Sequence, residues 1–490
     1  MRGLRAWVCA VAIVALVVVT GGPGTAPLPA HAEIPPHLGY GINVRLEDNI
    51  DPLVEPLGFG WVKLWEEYDV APPAQRLPYK VLYAIDCNGM PADLDQWGDH
   101  VEAIARTGLG VVEAYEIGNE PNAERFWGNA PPDPDQYVQV LQVAYERIKA
   151  VDPAATVVSA GLAPVGRIEG TCGEWQSNDC SAMDEREYAR QMFLLGAGDY
   201  FDVFGYHPYG FAYAPETDPH SVSNGFAFRG TEVMYGLLEQ LGLGLKPIWA
   251  TEFNWLRRWT EDGGMPSDCR SGYEADFGWM EVTEETQRAY LVDAFQYADE
   301  NWPWMGAMFV WNLDWHNYHT WDCEASRYFS VRKDNGTDHG APALVYDALA
   351  EMEKRPGSFG PRLAVEPPAI DFLADVDEPG VLTGTVVPLN AGYRVFTWTA
   401  SVAVGMQVTG TGTVGTQVTP TLAITTGLQG TPLTVTVDST GYTTGTFIGI
   451  ITVTATTTDV LDAPQTLPVM LRVVPEVYRV YLPVGLRSAP

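Results

Sequence analysis

Two kinds of segment alternate along the chain from residue 36 to about residue 357. A short apolar run of strand length is followed by a loop and then by a stretch whose apolar residues recur every three or four positions, as in an amphipathic helix. Eight such alternating units over about 320 residues favour a closed (β/α)₈ barrel, the TIM-barrel architecture. The predicted strands are His37–Val44, Gly60–Trp65, Lys80–Asp86, Val111–Ile117, Thr156–Ala163, Phe201–His207, Pro247–Glu252 and Met305–Trp311.

The intervening helices carry their own start signals. Pro134–Ala150 has apolar residues at helical spacing, with Asp133 in the N-cap position and Pro134 directly after it. Thr283 caps a second helix, which has two glutamates in its first turn. The first two strand connections are short and poorly helical. A doubly wound open sheet is the alternative, but no glycine-rich phosphate loop follows any predicted strand.

Three of the loops that follow strands are long: Pro164–Ser181, Trp255–Val282 and Leu313–Ala341. Long loops at the carboxyl ends of barrel strands are where active sites lie. We expect the tryptophans of these loops and strand ends to include sugar-stacking platforms as well as loop core. They are Trp127, Trp175, Trp255, Trp259, Trp279, Trp311, Trp315 and Trp321.

The composition changes at about residue 361. Residues 362–475 contain no lysine and many threonines and valines, and strand-like runs are separated by turn signals. This pattern predicts that residues 361–475 form an all-β, immunoglobulin-like sandwich and that residues 476–490 form a separate tail. The preceding domain, residues 33–360, is the predicted barrel.

Residues 1–32 have the features of a signal peptide. Arg2 and Arg5 precede the apolar run Ala6–Thr20, and Ala30-His31-Ala32 offers a cleavage site. The run is short for a membrane span, so we expect a secreted or cell-surface protein, with an uncleaved anchor as the alternative. No later stretch approaches spanning length, and we expect no membrane insertion.

The charge balance narrows the choice of partners. The chain has a formal net charge of −33, and without the leader its 27 basic and 62 acidic residues give −35. Such a surface repels nucleic acid and anionic lipid, so neither is expected as a partner. It suits a neutral polymer substrate, and it suits a role in solubility equally well. We expect a monomer with no cofactor. We also expect no metal, because the sequence has no CxxC motif or histidine-rich cluster that would suit a structural site.

Five cysteines follow the leader, an odd number that leaves one thiol unpaired in an oxidising compartment. Cys172 and Cys180 share one loop. Cys269 and Cys323 lie in two long loops that would be neighbours in the barrel. We therefore expect disulfides Cys172–Cys180 and Cys269–Cys323, with Cys87 free.

Two carboxylates stand at matching positions at the carboxyl ends of strands. Glu120 follows the fourth strand beside Asn119, whose amide adds no charge, and Glu252 ends the seventh. In a barrel these side chains face each other across the mouth. Glycoside hydrolysis needs one carboxyl group to protonate the departing oxygen and another to attack the anomeric carbon or activate water.

Two polar residues close the sixth strand. We expect Tyr209 to donate a hydrogen bond to Glu252 and keep it ionised, and His207 to bind a sugar hydroxyl or adjust the proton balance. Packing at the barrel rim is the alternative for both residues.

Three motifs resemble those of clan A glycoside hydrolases: NEPN at Asn119–Asn122, DVFGYHPY at Asp202–Tyr209 and TEFN at Thr251–Asn254. The wording is most similar to family 39, with the family 5 cellulases next. The resemblance implies a retaining enzyme with Glu120 as acid/base and Glu252 as nucleophile. It also implies that Asn119 contacts the sugar 2-hydroxyl and that Trp311 is a sugar platform.

The second strand departs from the family 5 pattern. It ends in Lys63 and Trp65 where an arginine is expected, and Arg45 at the end of the first strand is a possible substitute. We treat all three as candidate substrate-binding residues. The departure bears on the substrate more than on the chemistry.

The C-terminal region resembles a bacterial immunoglobulin-like module of the BACON type, through TWTAS at Thr397–Ser401 and the strand-like runs that follow. The resemblance implies a spacer or adhesion module, with glycan binding as a lesser alternative. Trp398 is expected in its core.

The residues favour a secreted glycosidase that acts on a poly- or oligosaccharide, and the resemblance implies that it is a retaining one. Two alternatives remain: a non-catalytic carbohydrate-binding barrel, and a surface adhesin in which the sandwich binds while the barrel is a platform. The sugar, the linkage and the choice between endo and exo action are open.

Overall fold

The computed structural model describes residues 34–45, 50–68, 70–167, 171–172, 180–262, 264–315, 325–337, 339–403 and 420–477. Its main sheet contains β1 Gly39–Asn43, β2 Trp61–Trp65, β3 Lys80–Ile85, β4 Ala114–Ile117, β5 Thr156–Ser159, β6 Phe204–Tyr206, β7 Ile248–Phe253 and β8 Met305–Val310. The helices are α1 Asp51–Val54, α2 Leu94–Gly108, α3 Pro134–Val151, α4 Glu185–Leu194, α5 Gly230–Gln240, α6 Arg270–Asp276, α7 Glu284–Asn301, α8 Ser326–Phe329 and α9 Leu344–Glu351.

The eight strands form one parallel sheet in the order β5-β4-β3-β2-β1-β8-β7-β6. Parallel bridges from Val158 to Val203 and from Leu162 to Tyr206 join the two strands at its ends, so the sheet closes on itself. The barrel predicted from the sequence is confirmed. Several strands are shorter than predicted, as in β4, which starts at Ala114 rather than Val111.

The predicted helix starts are also confirmed. The Asp133 carboxylate accepts hydrogen bonds from two backbone N–H groups in the first turn of α3, and the Thr283 hydroxyl accepts one in α7. In its described residues, the connection from β1 to β2 contains only the four-residue α1 and a 3₁₀ turn, Glu55–Leu57. The weak helical pattern there predicted this.

The C-terminal strands form two sheets. They are β9 Leu363–Glu366, β10 Ile370–Asp375, β11 Val381–Asn390, β12 Thr397–Ala403, β13 Thr421–Leu422, β14 Thr426–Leu428, β15 Leu433–Asp438, β16 Gly445–Ala455 and β17 Gln465–Val474. The sheet orders are β9-β11-β15-β13 and β10-β17-β16-β12-β14. Both sheets contribute to one hydrophobic core, in which Trp398 is fully buried, as predicted. The immunoglobulin-like type and the boundary at residue 361 stay predictions.

The barrel interior changes character along the strands. Near the amino ends, Trp61, Trp249 and Phe309 pack in an apolar layer together with Tyr393 from the C-terminal region. Side chains two residues apart on a strand share a face, so Lys63 follows Trp61 on the inner side of β2. The polar groups of the barrel interior therefore lie nearer its carboxyl end, where the predicted site residues are.

Several predicted features lie outside the described residues: the leader 1–32, Trp175, Trp321 and most of the tail from residue 478 onward. In the part of the chain that the structure describes, no helix is both long and apolar enough to cross a membrane.

Candidate active site

Glu120 is held by an unusual turn after β4. Its backbone is left-handed, with φ 42°, and Gly118, two residues earlier, also has positive φ. The backbone N–H of Glu120 donates a hydrogen bond of 3.0 Å to the carbonyl of Gly161. A non-glycine residue in this conformation is strained, and such strain is found most often at functional sites.

Glu252 lies near the end of β7 and is 5% exposed. The Tyr209 hydroxyl donates a hydrogen bond of 2.6 Å to its Oε2 atom, which confirms the predicted contact. On the other side, the Lys63 ammonium lies 3.7 Å from Oε1. Glu252 is therefore held by a hydroxyl donor and a cation.

His207 lies between the two glutamates. Its Nδ1 atom is 2.8 Å from Glu120 Oε1, and its Nε2 atom is 3.7 Å from Glu252 Oε1 and 3.1 Å from Thr251 Oγ1. The imidazole fits because residue 161 is glycine: a Cβ atom there would lie 2.0 Å from His207 Nε2. One ligand atom from each of Glu120, His207 and Glu252 lies within 4.8 Å of the others.

Burial and nearby charges shift the pKa of His207 in opposite directions. Burial alone would lower its pKa, but the Glu252 carboxylate and the hydrogen bond to Glu120 raise it above the ordinary histidine value. The two carboxyl groups thus favour the protonated form of His207 against the effect of burial.

The pKa of Glu252 is raised, whereas the sequence predicts that Tyr209 keeps this residue ionised. Burial raises its pKa above the ordinary value, while His207, Lys63 and the Tyr209 hydrogen bond act in the lowering direction. The expected hydrogen bond from Tyr209 is present, but it only partly offsets the effect of burial. Burial, with the charges of Glu252 and Glu120, also raises the pKa of Tyr209, so its hydroxyl stays a donor.

Lys63 is part of a buried ion pair within the barrel. Its ammonium lies 2.7 Å from Glu116 Oε2 and 3.7 Å from the centre of the Trp65 ring, and neither Lys63 nor Glu116 is exposed. Arg45 does not take this position. It ion-pairs with Asp314 at 3.6 Å and does not line the cavity onto which Glu120 and Glu252 open. The basic side chain beside Glu252 is therefore Lys63.

Both glutamates open onto one cavity of about 330 Å³, the size range of a small-ligand site. Asn119, Trp65, Tyr209 and Trp311 line it together with aromatic and apolar side chains of the loops. The side-chain carbonyl oxygen of Asn119 is buried and has no hydrogen-bond partner among the described residues. It is thus available to a ligand hydroxyl.

The described tryptophans of the loops and strand ends differ in exposure, with Trp259 partly buried. Trp127, Trp255 and Trp315 are at most 1% exposed and belong to the core. Trp311 is mostly buried but lines the cavity and packs edge-on against Trp65, with ring centroids 5.6 Å apart. Trp279 differs from all of these because it is 53% exposed.

The cysteines are only partly described. Cys87 is free and buried, as predicted, and Cys180 and Cys269 are disulfide-bonded. The side chain of Cys172 and all of Cys323 lie outside the described residues. The pairing stays a prediction.

Glu120, His207 and Glu252 also have the spacing of a possible metal-binding group. The Lys63 ammonium, 3.7 Å from Glu252, already supplies a positive charge there and would repel a second cation. The arrangement favours proton transfer and nucleophilic attack over metal binding.

Three contributors were missed by the sequence reasoning: Glu116, Gly161 and Thr251. Glu116 binds both Lys63 and the backbone N–H of Gly161. A charged residue in an otherwise apolar strand was a usable signal for Glu116. Nothing local distinguishes Gly161, since its role comes from the approach of a histidine distant in the chain.

No protein-family model and no curated protein sequence matches the chain. Similar solved structures include the GH53 catalytic domain of Ignisphaera aggregans, at 13% identity and TM-score 0.43, covering 67% of this chain and 99% of that one. A glucosidase from Croceicoccus marinus is similar at 11% identity and TM-score 0.43, covering 83% and 96%. The endo-1,4-beta-mannanase of Rhizomucor miehei is similar at 12% identity and TM-score 0.35, covering 64% and 96%. TM-scores below 0.5 are too low for these structures to support a conclusion about this chain.

Proposed function

We propose that this protein is a secreted, retaining glycoside hydrolase that cleaves O-glycosidic bonds of an oligo- or polysaccharide. The observation that carries the proposal is the approach of Glu120 and Glu252, whose nearest ligand oxygens lie within 4.8 Å across an aromatic-lined cavity. Retaining glycosidases hold their carboxyl groups about 5–5.5 Å apart, whereas inverting enzymes need about 6.5–9.5 Å to admit water. The motifs that resemble family 39 and family 5 enzymes fall on these same residues.

In the first step, protonated Glu120 gives its proton to the glycosidic oxygen while the Glu252 carboxylate attacks the anomeric carbon. The bond to the leaving group breaks and a glycosyl–Glu252 ester forms. Lys63 and Tyr209 orient Glu252 and favour its ionised form against the effect of burial.

In the second step, Glu120 takes a proton from water, and the resulting hydroxide displaces Glu252 from the anomeric carbon. We assign the His207 Nδ1 proton to the hydrogen bond with Glu120 Oε1, which leaves Oε2 of Glu120 for the proton exchanged with the substrate. His207 thus aligns the acid/base and supports its change of charge between the steps.

Asn119 and Trp311 are the proposed substrate contacts beside the scissile bond. The unpartnered carbonyl oxygen of Asn119 suits a bond from the sugar 2-hydroxyl, and the Trp311 ring provides an apolar face in the cavity wall. The contact with the 2-hydroxyl would strengthen as charge develops at the anomeric carbon.

The proposal includes the leader 1–32, the two disulfides and the C-terminal immunoglobulin-like module of BACON type. The bonded state of Cys180 and Cys269 supports an oxidising compartment. Non-reducing peptide mapping should recover Cys172 with Cys180 and Cys269 with Cys323. Recovery of any other pair would contradict the proposed connectivity.

The first test is a screen of aryl glycosides and neutral polysaccharides, followed by ¹H NMR of the product anomer on the best substrate. The first-formed product should have the configuration of the substrate. An inverted first product would contradict the double-displacement mechanism.

The second test separates the roles of the two glutamates. Glu120→Ala should still form the glycosyl-enzyme with a dinitrophenyl glycoside, whose leaving group needs no acid, and should then stall. Azide needs no base, so it should displace Glu252 and release a glycosyl azide of retained configuration. Inverted glycosyl azide from Glu120→Ala, together with retained glycosyl azide from Glu252→Ala, would reverse the assignment.

The alternative is a non-catalytic carbohydrate-binding barrel. It predicts saturable glycan binding with no turnover by the wild-type protein, and binding that Glu252→Gln leaves intact. Polysaccharide pull-down by full-length protein, measured beside hydrolysis, distinguishes the two functions.

A further inference from the structure

An aromatic group stands beside the catalytic cavity and takes no part in the proposed chemistry. The Phe211 ring stacks on Phe226, with centroids 4.7 Å apart, and on Trp279, with centroids 5.3 Å apart and planes 19° from parallel. Phe211 is nearly buried, whereas Trp279 is 53% exposed. Trp279 is the single exposed tryptophan in the described ranges.

The indole ring of Trp279 is fixed in position. Its Nε1–H donates a hydrogen bond of 3.0 Å to the carbonyl of Asp276, and one part of the ring rests on Phe211. An exposed side chain that is already ordered loses little conformational entropy when a ligand binds. The exposed indole can therefore bind a flat apolar surface without first having to become ordered.

This aromatic group is continuous with the catalytic cavity. Phe211 lines the cavity, as do Phe277 and Met280, which flank Trp279 closely in the chain. Trp279 thus lies at the rim, on the long loop after β7.

The turn that carries Phe211 beneath Trp279 is closely packed and has an unusual backbone conformation. Phe211 has a left-handed backbone, with φ 52°, which is rare for an aromatic residue. The preceding Gly210 is required by close packing, because a Cβ atom there would lie 1.9 Å from Trp255 Cε2. The strain in this turn persists because the surrounding core fixes it.

We propose that Trp279 and Phe211 form a distal sugar-binding shelf, which holds one pyranose ring of a glycan chain while its scissile bond lies between Glu120 and Glu252. This rests on the proposed function and deepens it to a substrate several sugars long. The C–H face of a pyranose is slightly positive and matches the negative face of an aromatic ring.

The charges of the cavity define the glycan further. Glu67, Glu120 and Glu252 line it against the single guanidinium of Arg125 among the described lining residues. The formal net charge of −33 also opposes a glycan that carries carboxylate or sulfate groups, so the proposed ligand of the shelf is an uncharged glycan.

The test compares Trp279→Ala with wild type in the full chain, using cellohexaose, xylohexaose and mannohexaose against the aryl monoglycosides of the same sugars. On the hexasaccharide that the wild type cleaves, kcat/KM should fall about tenfold, while the aryl glycoside value stays within about twofold. Trp279→Phe should recover most of the loss. Leu194→Ala, at the equally exposed end of α4, is the matched control and should change neither value.

An equal loss on both kinds of substrate, or no loss on the hexasaccharide, would overturn the shelf while leaving the proposed function intact. If the wild type hydrolyses nothing, the proposed function fails, and calorimetric titration with the same hexasaccharides decides the shelf separately. Binding weakened about tenfold by Trp279→Ala would support it. Binding that is absent in wild type, or unchanged in the variant, would overturn it.

Discussion

The two ends of the barrel are built from the same strands and differ in almost every physical property. At the amino end, Trp61 and Trp249 pack around Tyr393, whose hydroxyl accepts a hydrogen bond of 3.0 Å from Trp249 Nε1. At the carboxyl end, the inner side chains include Lys63 and Glu252, and the cavity is open to solvent. The C-terminal region thus closes one end of the barrel while the loops form a site at the other.

This contrast shows that a cavity alone does not mark the site. A cavity of about 240 Å³ also lies at the amino end, where the barrel meets the C-terminal region. No carboxylate is found among the described residues that line it, and Tyr393 and Trp304 contribute rings to its wall. The paired glutamates distinguish the cavity at the carboxyl end, which is why the proposed chemistry is assigned to it. Through Tyr393, the C-terminal region also packs against the amino end of the barrel.

Among variants that test the difference between the two ends of the barrel, Glu252→Gln should have the largest effect. Activity should fall by about 10⁴-fold or more, because no nucleophile remains. Burial raises the folded-state pKa of Glu252, so ionising it costs stability above its unfolded-state pKa. The variant should therefore melt at the same or a higher temperature than wild type at pH 7, measured by calorimetry. A lower melting temperature together with retained activity would contradict both roles.

Lys63→Met should produce the next largest change. Lys63 acts to lower the pKa of Glu252, so its removal should raise that pKa and move the acidic limb of the kcat/KM profile to higher pH. On that limb, activity at a fixed pH falls about tenfold for every pH unit by which the limb moves. Lys63→Arg keeps the charge and should leave the limb near its wild-type position. Identical limbs in wild type and Lys63→Met would contradict the role of the lysine.

Tyr393→Ala tests the opposite end of the barrel. Removing a buried aromatic ring should lower the free energy of unfolding by about 3 kcal/mol, measured by urea denaturation. Well below the melting temperature, kcat should stay within about twofold of wild type, because the ring lies at the end of the barrel away from Glu120. A selective loss of kcat without loss of stability would show that the two ends are coupled.

Tyr393→Phe should give the smallest effect. It keeps the ring and removes only the acceptor for Trp249 Nε1, so about 1 kcal/mol of stability should be lost. Activity should not change. A loss as large as that of Tyr393→Ala would show that the hydrogen bond, rather than ring packing, closes the barrel.

Much of the barrel fold was predictable because local sequence patterns determine local structure. The alternation of apolar strands and amphipathic helices predicted the eight strands, and Asp133 and Thr283 marked helix starts through their capping side chains. The positions of Glu120 and Glu252 just beyond or at strand ends predicted their place at the barrel mouth. The Tyr209–Glu252 hydrogen bond followed from the same reasoning and is present.

The sequence by itself thus determined which segments form strands and which carboxylates stand at their ends, since these depend on residues adjacent in the chain. Tertiary structure alone decided which distant groups meet: His207 contacts Glu120 from 87 positions away, and Tyr393 reaches Trp249 from 144. It also placed Lys63, rather than Arg45, beside Glu252 and left Trp279 exposed while Trp255 was buried. The physical reason is that closure of the barrel and packing of the loops set these distances and burials, and a linear pattern carries no record of either.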